Sequence, residues 1–129
     1  MHPHRIGSTL VKIASVYLVI GLAGGMYMAV SGQFGFASAH SHVTLLGWAT
    51  MALTGLVYVA FPRCAASRLS RAHFWLHNLG LPVMTVSLTA HAAGTAGAEP
   101  FVALGSMVVI VALLLFTVNV LRNAAPVER

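Results

Sequence analysis

Two imidazoles one residue apart, His40 and His42, stand near the start of a long apolar stretch, Ala39-His40-Ser41-His42-Val43-Thr44-Leu45-Leu46-Gly47-Trp48. Histidine is costly to bury in hydrocarbon, so inside a membrane helix it is by default a functional candidate with a partner to be named. At about 100° per residue, positions two apart on a helix differ by about 200° in direction. His40 and His42 therefore point to opposite flanks, and one helix cannot aim both at one metal. Such a helix suits a ring of copies, with one site between each neighbouring pair. The surroundings are apolar, and nearly all carboxylates and the single thiol, Cys64, lie elsewhere. They suit a macrocycle better than a bare ion, and haem iron is the natural guest. Gly47 and Trp48 follow the pair, and Trp48 joins it as a candidate cofactor contact. The blander alternative is that the imidazoles only cap helix ends or hold interfacial water.

Three other histidine groups compete for attention. His73 and His77 have the i, i+4 spacing that places two rings on one helix face, the arrangement known from HExxH zinc helices. They could hold a metal or, beside Trp75, belong to an interfacial belt. His91 could hydrogen-bond a propionate or orient a ligand ring. His2 and His4 read as solvated tail. The methionines Met26, Met28, Met51, Met84 and Met107 read as packing residues, and Asn78 and Asn119 as hydrogen-bonding bridges between helices.

The elements that must position these residues are membrane spans. The chain of 129 residues is 58% hydrophobic and 7% charged, which excludes an ordinary water-soluble domain of this length. The reading is an all-α integral membrane protein, a four-helix bundle in one domain, with spans over residues 9–31, 39–61, 72–93 and 101–121. Each is long enough, at about 1.5 Å per residue, to cross most of a roughly 30 Å hydrocarbon core. Ser38 reads as the N-cap of the second span and Pro62 as its stop, and Pro82 predicts a kink in the third. Gly21, Gly24 and Gly25 read as a close-packing surface. The first apolar run is too long for a typical signal core and is expected to be retained.

A net charge of +5 raises the question of nucleic acid, but the basic residues sit at segment ends and form no stripe. Arg5, Lys12, Arg63, Arg68, Arg71, Arg122 and Arg129 all fall on one side of the four spans. By the positive-inside rule that side is cytoplasmic, as are both termini, and the expected location is a bacterial-type inner membrane. His40, His42 and His91 then share one depth near the outer surface, with His73 and His77 toward the inner end.

The residues around the pair also resemble a known family, the large subunit of haem-copper oxidases and the related nitric oxide reductases. Its second helix has a His-Thr-Asn-Leu-Leu-like pattern, then a tryptophan, Gly, Tyr and a terminal Pro; His42-Val43-Thr44-Leu45-Leu46, Trp48, Gly55, Tyr58 and Pro62 are similar. The His-x-His of the family's tenth helix, with one ring for each of two haems, is matched by His40-Ser41-His42. More loosely, His73-Phe74-Trp75-Leu76-His77-Asn78-Leu79-Gly80 resembles its third helix. That subunit has twelve helices in approximate threefold symmetry, and its second, sixth and tenth helices each stand second in a quartet. This chain resembles one quartet. The family's copper-binding histidine cluster, its crosslinked tyrosine and the reductases' span glutamates have no counterpart, so the likeness does not extend to a complete oxidase site.

Spacing and resemblance together lead to one expectation: haem b held by His40 and His42 in a homotrimer, serving electron transfer or the sensing or reduction of nitric oxide or oxygen, with the electron donor unidentified. The alternative is a copper-handling or assembly partner of a respiratory complex. A third reading is a purely structural bundle.

Overall fold

The computed structural model describes residues 3–125, and among these every regular element is helical. Helix α1 covers Pro3–Ser31. Helix α2 runs continuously over Phe34–Ala60. It opens with a 3-10 turn (Phe34–Phe36), continues as α-helix over Ala37–His42, widens to a π-helix over Val43–Thr50, and returns to α-helix over Met51–Ala60. A short α3 (Pro62–Ala66) leads into α4 (Arg68–Ala92), and α5 covers Glu99–Asn123. His2 and Arg129 lie outside the described residues.

Several boundaries differ from the sequence expectation. Ser38 is not a cap: α2 begins at Phe34, four residues before it, and the Ser38 carbonyl accepts from the His42 ring. The cap that does form is Ser67, whose hydroxyl accepts from the Leu69 amide at 3.1 Å and starts α4 inside the basic loop. Pro100 in the first turn lets α5 start at Glu99, because a proline there lacks an amide the helix would leave unpaired anyway. Helix α4 runs through Pro82 without a break, and Thr85 donates to the Leu81 carbonyl just beyond it.

Three helices are long and apolar enough to cross a membrane: Arg5–Ser31, Phe34–Ala60 and Glu99–Asn123. The 25-residue α4 has the length but is less apolar. Its polar residues have a direction, however. Ser70, His73, His77 and Thr85 are buried, while Trp75, Leu79, Val83 and Val86 are exposed.

Two close helix pairs build the body. Against α1, α2 approaches until a methyl added at Gly7 would lie 2.6 Å from the Gly55 carbonyl oxygen, and one at Gly47 would lie 2.7 Å from the Tyr17 ring. Between α4 and α5, a methyl at Gly105 would lie 2.7 Å from the Met84 Cα and one at Gly80 2.7 Å from Val108. Small residues allow such contact, which in lipid replaces the hydrophobic effect as the force between helices. The shared core includes Ile6, Leu10, Met51, Tyr58, Leu81 and Val109. Met28, Met51 and Met84 are buried, whereas Met26 and Met107 face outward. Asn119 does bridge elements, donating to the Cys64 carbonyl of α3 at 3.0 Å, but Asn78 bonds only within α4.

Candidate functional site

The π segment starts immediately after His42, so both imidazoles sit in the last α-helical turn above it. Their environments differ. His42 Nδ1 lies 2.7 Å from the Ser38 carbonyl oxygen, one turn back. A carbonyl only accepts, so Nδ1 carries the proton and donates, and Nε2 keeps a bare lone pair. The ring is half-buried, and its Nε2 is the nitrogen left for a ligand. This is the usual preparation of a metal-binding imidazole: the second nitrogen donates to a backbone carbonyl, which orients the ring and raises the basicity of the first.

His40 turns the other way, onto α1. Methyls built at Gly25 and Gly24 would lie 3.2 Å from its Cε1 and 3.7 Å from its Nδ1. The glycines expected to form a packing surface therefore cradle a histidine ring. His40 Nδ1 is buried and has no hydrogen-bond partner. Apolar grooves lie on both sides of the ring. One, of about 500 Å³, runs past Gly24, Tyr27, Met28, Phe36 and Thr89; the other, of about 460 Å³, runs past Leu22, Gly25, Met26 and Thr44. An unpartnered ring nitrogen facing apolar walls is a polar group whose desolvation nothing in the chain offsets.

Trp48 and His91 are not brought to these grooves. Trp48 packs against the core. His91 is half-exposed at the C-terminal end of α4, with Nδ1 3.8 Å from the Glu99 carboxylate, while Thr89, two residues earlier, is the part of α4 that reaches the groove.

His73 and His77 form neither an open chelate nor an interfacial belt. Both are fully buried, and of that stretch Trp75 faces outward. His77 Nε2 lies 3.1 Å from the Leu46 carbonyl oxygen, His77 Nδ1 lies 3.2 Å from His73 Nε2, and His73 Nδ1 lies 3.0 Å from the Tyr58 hydroxyl. The carbonyl at one end fixes every proton in the string. His77 must donate through Nε2, so its Nδ1 accepts from His73 Nε2–H, and His73 Nδ1 accepts from Tyr58 O–H. All four ring nitrogens are committed. Tyr58, which sequence reasoning tied only to the family pattern, is thus the partner that closes this string. The signal available beforehand was two histidines on one face of a span, which demand polar partners from a neighbouring helix.

Among the described residues no three His, Cys, Asp or Glu side chains converge on a common point. A cofactor held here must bring most of its own donors or draw on a second chain. Two imidazole nitrogens there are uncommitted, Nε2 of His42 and Nδ1 of His40 between its apolar walls. No family model, curated protein or solved structure matches the chain.

Proposed function

We propose that this chain is a four-span inner-membrane protein that binds haem b through His40 and His42 and serves electron transfer or the sensing or reduction of a small gas. The observation that carries the reading is the His42 ring, locked by Ser38 with its Nε2 lone pair free. When bound, haem b supplies a one-electron iron couple and, if one axial position is open, a binding site for nitric oxide or oxygen. His42 and His40 would hold the iron, and the groove residues would exclude water around it. A visible spectrum of the purified protein, expressed with adequate haem, tests this. A Soret band is expected, and its absence overturns the reading.

Opposed ring directions support shared ligation, in which His40 of one chain and His42 of the next would hold one haem between them. A closed homotrimer with up to three haems follows from the resemblance to a threefold set of quartets, and cyclic closure is the ordinary outcome of head-to-tail contacts. A monomer that retains six-coordinate haem in native mass measurement would refute shared ligation.

The fourth span is assigned to α4, because its polar residues turn inward and Trp75, Leu79, Val83 and Val86 offer lipid an apolar stripe below which Arg68 and Arg71 sit exposed. Both termini are then cytoplasmic. A topology reporter fused after Arg129 is expected to read cytoplasmic and one inserted near Gly97 external. The reverse pattern would undo the placement of His40 and His42 near the outer surface.

One observation favours a second reading. Met28 lines one groove beside His40 and Met26 the other, and thioether with imidazole suits copper(I). In that case the protein handles copper for, or assembles, a respiratory complex. Stoichiometric copper without iron, lost in His40→Ala and in His42→Ala, would establish it.

A further inference from the structure

The two imidazoles are prepared unequally. His42 Nδ1 lies 2.7 Å from the Ser38 carbonyl oxygen, so its proton has an acceptor and the Nε2 lone pair is aimed by a fixed ring. His40 Nδ1 is buried and has no partner. Burial closes that atom to an iron, which leaves Nε2 as the nitrogen of His40 able to ligate. Nε2 lies toward Gly25, 3.6 Å from a methyl built there. A neutral imidazole carries one proton, and ligation through Nε2 puts it on Nδ1. In His42 that proton meets the Ser38 carbonyl. In His40 it meets Gly24 and apolar walls, where it finds no acceptor.

Outer partners of this kind are worth about 10- to 100-fold in metal affinity. The packing of the two rings differs in the same sense. The His40 ring rests on Gly24 and Gly25, which have no side chain to grip it, and grooves of about 500 and 460 Å³ open on either side. A ring that lets go there has space to turn into without moving a helix.

We infer that the two axial positions are unequal: His42 is the permanent ligand, and His40 is the exchangeable one that gives up its place to a small neutral gas. The inference rests on the haem reading proposed above and narrows it, because an iron held permanently by both rings could only pass electrons. The grooves admit an uncharged diatomic, since their walls are apolar. The exchange is a substitution without electron transfer: the bond from His40 Nε2 breaks, its lone pair returns to the ring, and the incoming molecule donates a lone pair instead. The inequality is the same whether the two rings belong to one chain or to neighbours, because each Nδ1 is surrounded by its own chain.

Carbon monoxide added to the reduced protein is the probe, read by the visible spectrum and by the Fe–CO and C–O stretching bands. The native adduct should match that of His40→Ala, in which His42 stands opposite the gas, and His40→Ala should retain more haem than His42→Ala. A native adduct matching that of His42→Ala, a native spectrum that carbon monoxide leaves unchanged, or equal or reversed haem retention would overturn the inference, while a native Soret band keeps the haem reading standing. Absence of any Soret band overturns both. Gly24→Ser tests the cause. A methyl at Gly24 would lie 3.7 Å from His40 Nδ1, its one contact within 4 Å outside its own helix. A hydroxyl added to that methyl can accept the Nδ1 proton while donating to the carbonyl one turn back. Gly24→Ser should therefore bind carbon monoxide about 10- to 100-fold more weakly than the native protein, and Gly24→Ala, with the methyl alone, should not. Equal affinities in these two variants would refute the missing partner as the cause of exchange. If Gly24→Ser fails to accumulate, the native adduct and the haem retained by the two alanine variants still decide.

Discussion

His42→Ala is expected to abolish the six-coordinate haem spectrum, leaving either no haem or a five-coordinate form. The substitution removes the lone pair that the Ser38 carbonyl leaves exposed on Nε2, and neither His91 nor the His73–His77 pair can replace it. His91 sits outward beside Glu99, and both nitrogens of His73 and of His77 are committed to the buried string. His40→Ala should have the same spectral effect from the other flank, because nothing else in the grooves carries a nitrogen donor of that kind. His2→Ala and His4→Ala should leave the spectrum unchanged. Equal spectra from all four variants would end the assignment. Co-expression sharpens the result. If each interface takes His40 from one chain and His42 from its neighbour, a random mixture of the two single variants restores both ligands at about a quarter of the interfaces of a closed ring. Six-coordinate haem should then reappear in the mixture although neither variant shows it alone.

Gly105→Ala is expected to open the contact between α4 and α5 and to cost at least the roughly 1–3 kcal/mol typical of overpacking. The added methyl would meet the Met84 Cα at 2.7 Å and Cβ at 2.8 Å, with the Met84 amide nitrogen nearer still. Backbone atoms cannot rotate aside as a side-chain tip can, so the two helices must separate along their length. Separation would also loosen Gly80 from Val108, one turn of α4 away. Unfolding in detergent by SDS titration or heat measures the loss. Gly35→Ala provides the control: nothing lies within 4 Å of a methyl there, and the effect should stay within about 0.5 kcal/mol, as for an ordinary surface change. Equal stability of the two variants would show that the α4–α5 approach is not held at Gly105.

The helices themselves were legible because their causes are local. An apolar run with basic residues confined to its ends is a property of consecutive residues, and so is the spacing that sends His40 and His42 to opposite flanks. Helix starts were less legible. Ser38 has the right chemistry for a cap, but Phe34 to Ala37 already coil before it, and a serine inside a helix cannot be told from one at its end by type alone. The small residues at 21, 24 and 25 announced a close approach without saying what approaches; only the packed pair shows that it is Thr44 and His40.

The use of each histidine nitrogen, by contrast, is settled by packing between helices. The i, i+4 spacing of His73 and His77 describes a chelating pair as well as a hydrogen-bonded one. The choice between them is made by Tyr58 and the Leu46 carbonyl, both on another helix. The π segment is equally invisible in the sequence, since Val43–Thr50 contains no proline and reads as ordinary apolar helix. Local composition sets which segments leave water, because transfer to an apolar medium acts on each segment by itself. The partners of a buried polar atom are set by whichever helix arrives beside it, and that is a property of the packed bundle.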